Sequence, residues 1–308
     1  MNDGILNSLP TQHSNDPARP SVAVVILNWN KPRQTRHCLQ VSQRNTNVPA
    51  HWIVVDNGST EPMEHLGAGV TLIRNTENRG FAGGVNTGLR RAFEDGAKHV
   101  WLLNNDAEPL SGALDALVAA ADADPSIGLA SAVILDSSAQ DTVVFHGGIW
   151  NNGDYRVTTD ADEYEAWSAA NPNRIWLTGT ALLVSRRLVE RIGYFDEAMF
   201  SYWEDNDYSR RSASAGFRNV VIPAARVRHE TDQPGCRPSR SPYYYYYMAR
   251  NELILLRKTG DLAFRPLYWA LRRSAGMYAN LKSFPTLRHA VRRGVIDGLL
   301  ARGGPYAG

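Results

Sequence analysis

Five groups of polar residues in this chain have the types and spacing that chemistry needs, and most of them close a short apolar run. Asp56, in Val55-Asp56-Asn57-Gly58-Ser59, can accept hydrogen bonds from a ligand ring nitrogen or a ribose hydroxyl. An aspartate so placed also caps helices. Asn78 to Asn86 is glycine-rich ahead of an expected helix, so its backbone N–H groups can approach phosphate or ribose closely. Gly80, Gly83 and Gly84 do not give the G-x-G-x-x-G spacing, and a tight turn without a ligand is an equal reading. Asn104-Asn105-Asp106 follows a wholly apolar run. It suits a divalent ion bridging a pyrophosphate, because Mg²⁺ takes few protein carboxylates and fills its shell with phosphate oxygens and water. A solvated strand-to-helix turn is the alternative.

Trp203-Glu204-Asp205-Asn206-Asp207 puts Glu204, Asp205 and Asp207 at an expected helix start, where the helix dipole favours ionised acids. Capping accounts for one of them. Another, aimed at an acceptor hydroxyl, can take its proton as a general base. His229 closes Val227-Arg228-His229 before a polar loop. A single histidine is more often structural, yet an oxygen-rich Mg²⁺ or Mn²⁺ site accepts one imidazole, Mn²⁺ more readily.

The elements that must position these groups follow from periodicity. Short β-branched runs alternate with longer amphipathic stretches, which predicts βαβ units and a mostly parallel sheet flanked by helices. Strands are expected at Ser21 to Leu27, Trp52 to Val55, Val70 to Arg74, His99 to Leu103 and about Leu129 to Leu135. Helices are expected from Pro32, from about Val85 to Gly96, and from about Ser111 to Ala123. Asp136 to Asn173, rich in Gly, Asn, Asp and aromatic residues, reads as hairpins and loops on the acceptor side. Trp176 to Val184 reads as one strand broken by a glycine, with helices from Glu204 to Ala215 and Tyr243 to Lys258. Polar punctuation at strand carboxyl ends is where open α/β sheets hold ligands.

With 308 residues and 43% hydrophobic content the chain has enough apolar surface for a core without staples. Cys38 and Cys236 are too few for a disulfide framework or a zinc site, which points to a reducing, cytoplasmic compartment. No apolar run approaches the roughly 20 residues of a membrane span. Residues 1–20 read as a disordered leader. The net charge of +2 is segregated: Lys and Arg crowd Arg257 to Gly308 against only Asp261 and Asp297. That basic, helical extension over 259–308 carries Leu267, Tyr268, Trp269 and Leu271 among its cations. It either lies on an anionic membrane surface or packs on the enzyme or a twin subunit. No nucleic-acid-binding module is present.

In this order the segments resemble the family 2 inverting glycosyltransferases, especially the bacterial branch of rhamnosyltransferases of cell-surface polysaccharides. The likeness rests on Val25-Ile26-Leu27-Asn28-Trp29-Asn30, Val55 to Ser59, Asn78 to Asn86, Leu103 to Asp106, Thr178-Gly179-Thr180-Ala181, Phe195-Asp196-Glu197 through Asp207, and His229. It covers about Ser21 to Lys258. The resemblance implies a GT-A fold with a Rossmann-like sheet, a nucleotide-binding half preceding an acceptor-binding half. It implies donor contacts at Asn28, Asp56, Arg79, Asn86, Asn105, Asp106, Gly179 and Thr180. Asp106 and His229 become ligands of Mg²⁺ or Mn²⁺, Asp205 the catalytic base, and Trp203 and Glu204 neighbours of the acceptor. It favours dTDP-L-rhamnose or a similar deoxysugar donor, then a UDP-sugar, and a glycan, lipid-linked or small-molecule acceptor. The cysteine count and the basic segment together give a cytoplasmic place, either free or peripheral at the inner face of the membrane, with a homodimer as one arrangement.

One departure matters. The family's metal motif commonly reads Asp-x-Asp, whereas here its first position is Asn104. A neutral amide is a weaker ligand than a carboxylate, so the hold on the ion shifts to Asp106, His229 and the donor's own pyrophosphate. Two rival readings follow: a sugar nucleotidyltransferase, which lacks here its basic Gly-rich loop after the first strand, and a non-catalytic sugar-nucleotide-binding protein.

Overall fold

The computed structural model describes residues 20–64, 66–137, 141–151, 153–230, 241–260 and 264–306. The expected leader, apart from Pro20, and Cys236 lie outside them.

In chain order the elements are β1 (Val22–Asn28), α1 (Pro32–Arg44), β2 (Ala50–Asn57), β3 (Val70–Asn75), α2 (Gly80–Glu94), β4 (His99–Asn104), β5 (Ala107–Pro109), α3 (Ala113–Ala123) and β6 (Ile127–Asp136). There follow β7 (Val143–Phe145), β8 (Gly147–Asn151), β9 (Asp154–Thr158), α4 (Ala161–Ala170), β10 (Ile175–Trp176), β11 (Ala181–Ser185) and α5 (Arg186–Ile192). The last are α6 (Glu204–Ser214), β12 (Arg218–His229), α7 (Pro242–Lys258), α8 (Phe264–Asn280) and α9 (Pro285–Leu299).

The central sheet runs β3-β2-β1-β4-β11-β6-β12-β5, with β7 beside β6. It is parallel from β3 to β4 and again between β6 and β12, with β11 antiparallel between them. β1, β4 and β11 are buried almost throughout, which explains their unbroken apolar sequence. The chain reverses its direction of travel across the sheet between β1 and β4, and a crevice opens at such a switch point.

Register brings the polar groups together. Asn28 stands opposite Asp56, and Asn57 opposite Asn75. β12 pairs with β5 so that His229 faces Ala107, one residue from Asp106. Asn104 N donates to Thr180 O at 2.9 Å, which brings Gly179 and Thr180 to the end of β4.

Three expectations change. First, α2 starts at Gly80 rather than near Val85, so the glycine-rich stretch is helix and not loop. The glycines are there for contact: a Cβ on Gly84 or Gly88 would land on the side chains of Leu27 or Val25 in β1. Packing overrides the low helix propensity of glycine. Second, the region read as hairpins and loops contains α4, capped where the Asp160 carboxylate accepts from Glu163 N at 2.8 Å. Third, Trp176 and Val184 do not share a strand. β10 joins a small sheet with β8 and β9, and β11 joins the central one. At the C-terminal end α7 packs against both α8 and α9, burying Leu253 and Leu256.

Replacing Gly88 by Ala is expected to lower stability by about 1–3 kcal/mol, the usual effect of overpacking. Urea unfolding measures it, and an unchanged midpoint would show the α2–β1 contact to be slack.

Candidate functional site

Outside the carboxyl ends of the strands lies a cleft of about 870 Å³. Trp29 and Lys31 after β1, Asn57 of β2, Asn104 to Asp106 after β4, Thr178 to Thr180 before β11, Glu204 and Asp205 of α6, and His229 of β12 all line it.

Asn28 and Asp56 lie beneath this wall. Asp56 is 1% exposed. Its Oδ1 accepts from Asn28 Nδ2 at 3.2 Å and Ser59 N at 3.3 Å, and its Oδ2 from Met63 N at 3.1 Å. Asn28 Oδ1 in turn accepts from the Thr35 hydroxyl at 2.8 Å. Asp56 therefore fixes the turn after β2, with the Arg74 guanidinium 3.9 Å away. Asn57 does the same for α2: its Nδ2 donates to Gly80 O at 2.9 Å, and its Oδ1 accepts from Arg79 N at 3.2 Å and Asn75 Nδ2 at 2.9 Å.

Arg79 and Asn86 turn toward Glu197. Arg79 donates to Glu197 at 2.7 Å, Asn86 Nδ2 at 3.0 Å and Arg90 at 3.1 Å. Asn86 also exchanges bonds with the backbone of Phe195 in both directions. Burial pushes the Glu197 carboxyl up, but the hydrogen bonds from Asn86 and Arg90 and the charges of Arg79 and Arg90 outweigh it and hold it below the usual range. This latch ties α2 to the segment leading into α6.

At the other lip, His229 Nε2 is 3.0 Å from Asp106 Oδ1, and the Asn104 amide is 3.5 Å from the same ring nitrogen. The Asp106 contact lacks hydrogen-bond alignment, so that carboxylate oxygen is buried without a donor. Among the described residues no three His, Cys, Asp or Glu side chains converge on one point. One carboxylate, one imidazole and one amide fit a divalent ion that draws its remaining ligands from phosphate and water. Asn105 is held aside, its Nδ2 donating to Thr35 at 3.1 Å.

Glu204 and Asp205 are adjacent in α6 but unequally supplied. Asp205 Oδ1 accepts from Asn206 N at 2.8 Å and Asn206 Nδ2 at 3.0 Å, and Oδ2 from Gly179 N at 3.1 Å. Glu204 is 6% exposed, with Oε2 lacking any donor. Burial, then the Asp205 and Asp207 charges, push the Glu204 carboxyl well above its ordinary range. Burial also raises Asp205, against the pull of the Gly179 and Asn206 donors. Burial thus holds both carboxyls toward the protonated form, Glu204 more strongly, because Asp205 has three donors and Glu204 Oε2 has none.

Trp203 sits in the core behind the cleft, its Nε1 donating to Met248 O at 3.2 Å and its ring edge-on to Tyr155. Tyr202, Tyr243 and Tyr244 supply the aromatic wall instead. They, Trp29 and Glu197 had no assigned role in the sequence. The signals were present: Trp29 follows a strand end and is 48% exposed, and Tyr243 opens the tyrosine run.

Residues 19–242 match the model of the family described as glycosyltransferase like family 2. The chain is 28% identical over 274 residues to the N-acetylglucosaminyl-diphospho-decaprenol L-rhamnosyltransferase of Mycobacterium tuberculosis, covering 80% of this chain and 88% of the relative. It is 23% identical over 248 residues to the dTDP-rhamnosyl transferase RfbF of Shigella flexneri, covering 77% and 80%. Among solved structures it resembles the mannosyltransferase PcManGT from Pyrobaculum calidifontis in complex with GDP-Man and Mn²⁺. There the TM-score is 0.57 at 19% identity, covering 93% of this chain and 89% of that one. It also resembles GalNAc-T7 with UDP, GalNAc and Mn²⁺, with a TM-score of 0.58 at 15% identity, covering 91% and 56%.

The unequal carboxyl pair makes stability depend on pH. Glu204 binds its proton more tightly folded than unfolded, so its contribution is full below the ordinary glutamate range and is lost as pH rises through the raised value. Glu204→Gln is expected to flatten that part of the decline in melting temperature as pH rises above the ordinary glutamate range. Parallel melting curves for both proteins would refute it.

Proposed function

The chain belongs to glycosyltransferase family 2 and is a glycosyltransferase of the GT-A fold, and on that premise we propose that it inverts the anomeric carbon of a nucleoside-diphosphate sugar by single displacement onto an acceptor hydroxyl. The rhamnosyltransferase relatives favour dTDP-L-rhamnose or a similar deoxysugar, with UDP-sugars next. A relative whose acceptor is N-acetylglucosaminyl-diphospho-decaprenol favours a lipid-linked glycan in surface polysaccharide or glycoconjugate synthesis. With sugar transfer assigned by the family, the nucleotidyltransferase and non-catalytic readings lose their support.

The observation that carries the mechanism is the difference between Asp205 and Glu204. Asp205, held by the Gly179 and Asn206 donors, takes the proton of the attacking hydroxyl. Glu204, neutral, hydrogen-bonds the acceptor beside it, against the wall of Tyr202, Tyr243 and Tyr244. Gly179 and Thr180 border the donor sugar. Asn28 and Asp56 shape the nucleobase end through the turn they fix, and Arg79 and Asn86 brace the sugar-nucleotide side through Glu197. Asp106 and His229, with Asn104, are the residues that would hold Mg²⁺ or Mn²⁺, and Asn105 and Asp106 adjoin the ribose. When bound, the ion offsets charge on the departing diphosphate.

Among the described residues no helix is long and apolar enough to cross a membrane. The outer face of α8 is nevertheless suited to a bilayer surface. Phe264, 82% exposed, lies with exposed Tyr268, Trp269 and Leu271 beside Arg265 and Arg272, and α8 contains no acidic residue.

Asp205→Asn is expected to lower transfer by about 100- to 10,000-fold while preserving the thermal stabilisation by nucleoside diphosphate plus Mn²⁺, and retained turnover would reject Asp205 as base. A triple substitution of Phe264, Trp269 and Arg272 to Ser is expected to reduce partition onto vesicles containing phosphatidylglycerol without altering donor hydrolysis. Equal partition would reject the membrane face, and a halved mass in solution would assign the face to a dimer.

A further inference from the structure

Asp205 is aimed into the cleft by the residues just before it. Phe200, Tyr202 and Trp203 have φ of 63°, 66° and 69°, a left-handed conformation that bulky side chains avoid unless the surroundings over-determine it. On one side the loop meets the first turn of α2, where Ala82 N donates to Phe200 O at 3.1 Å. On the other side it meets Arg250 and Asn251, which sit in the middle of α7 with no exposed surface.

These two side chains are spent on loop carbonyls. Asn251 Nδ2 lies 2.7 Å from Met199 O, 2.8 Å from Ser201 O and 2.8 Å from Tyr202 O. Arg250 donates to Ala198 O at 3.0 Å and Met199 O at 2.9 Å, and through its other terminal nitrogen to Gly304 O at 2.5 Å. Its Nε donates to Asn251 Oδ1 at 2.7 Å, which orients the amide so that the NH₂ group faces the loop. The rings of Tyr246 and Tyr247 lie 5.2 and 4.6 Å from the guanidinium. The chain's last turn closes the arrangement, with Gly304 N donating to Ala198 O at 2.9 Å.

Burying a guanidinium and an amide in an apolar helix is unfavourable unless every donor is used. Here the Asn251 amide and one Arg250 terminal nitrogen converge on one strained segment. We infer that Arg250 and Asn251 are positioning residues for sugar transfer: they hold residues 198–203 in the shape that delivers Glu204 and Asp205 to the cleft. The C-terminal helices are therefore part of the catalytic apparatus, because α9 and the tail after it hold α7 and complete the partners of Arg250. The inference rests on the reading of Asp205 as base.

The test compares full-length Asn251→Ser, Asn251→Asp and Leu256→Ala, each assayed well below its own melting temperature. Leu256 is buried toward α8 and touches neither the loop nor the cleft. Both Asn251 variants are expected to lose about a hundredfold in kcat, as misplacement of a reacting group does, with donor KM changed by about twofold or less. Amide hydrogen exchange across 198–206 is expected to quicken in them, and Leu256→Ala to show neither effect. If neither Asn251 variant folds, Arg250→Lys is judged by the same criteria. Unchanged exchange overturns the clamp. Faster exchange with intact kcat overturns its role in positioning, as does an equal kcat loss in Leu256→Ala. Asp205→Asn in the same assay separates the two ideas: its turnover, if retained, sinks the base, while the exchange data still judge the clamp.

Discussion

The cleft depends on a polar network that must be buried and satisfied at once. Asn28, Asp56, Asn57 and Asn75 end three adjacent strands and have almost no exposed surface. A buried amide or carboxylate without a partner costs on the order of 1–3 kcal/mol. The pattern found avoids that: Asn28 donates to Asp56 and Ser59, Asn75 to Asn57, and Asn57 bonds Asn78, Arg79 and Gly80. Each bond crosses from one element to the next. The turn after β2 and the start of α2 thus have one arrangement, and with α2 fixed, so is the side of the loop that contacts it at Ala82.

The other side of the cleft is held by different means. No strand ladder reaches Glu204 and Asp205. They ride on a left-handed loop gripped by α2 and α7, while Glu197 is drawn to Arg79 and Arg90 on the outside. The side formed by β1, β2, β3 and α2 is secured by strand-end bonds. The side that carries Glu204 and Asp205 is secured by contacts between residues about fifty positions apart, such as Met199 with Asn251. Those contacts tie the loop before α6 to α7, and α7 in turn packs on α8 and α9, which the sequence reads as an extension after Lys258.

The same contrast governs what the sequence discloses. β1 and β4 are apolar runs ending in asparagine, so both the strands and the polar edge were legible, and Asp106, Asp205, Gly179 and His229 do line one cleft. The start of α2 was not legible, because the glycines that seem to demand a loop answer instead to Leu27 and Val25 across a tight interface. Asp56 and Trp203 could be placed at the site but not oriented: a carboxylate at a strand end looks alike whether it faces ligand or the donors of its own turn. Arg250 and Asn251 carried a readable signal, a polar pair inside an apolar helix, but their partners are set by tertiary contact alone.

Charge balance bears most directly on the metal. Of the described residues lining the cleft, Lys31 is the only lysine or arginine, whereas Asp106, Glu204, Asp205 and Glu230 are acidic. Arg79 and Arg90, the nearby cations, are engaged by Glu197. A diphosphate leaving group brings further negative charge into a space with low-dielectric walls, where each uncompensated charge matters more than in water. Asp106, with an oxygen lacking a donor beside His229, is where the proposed reading puts a compensating cation. On the proposed reading Asn104 leaves an ion few charges from the protein, the donor's phosphates would supply the rest, and ion and donor would each stabilise the other's binding.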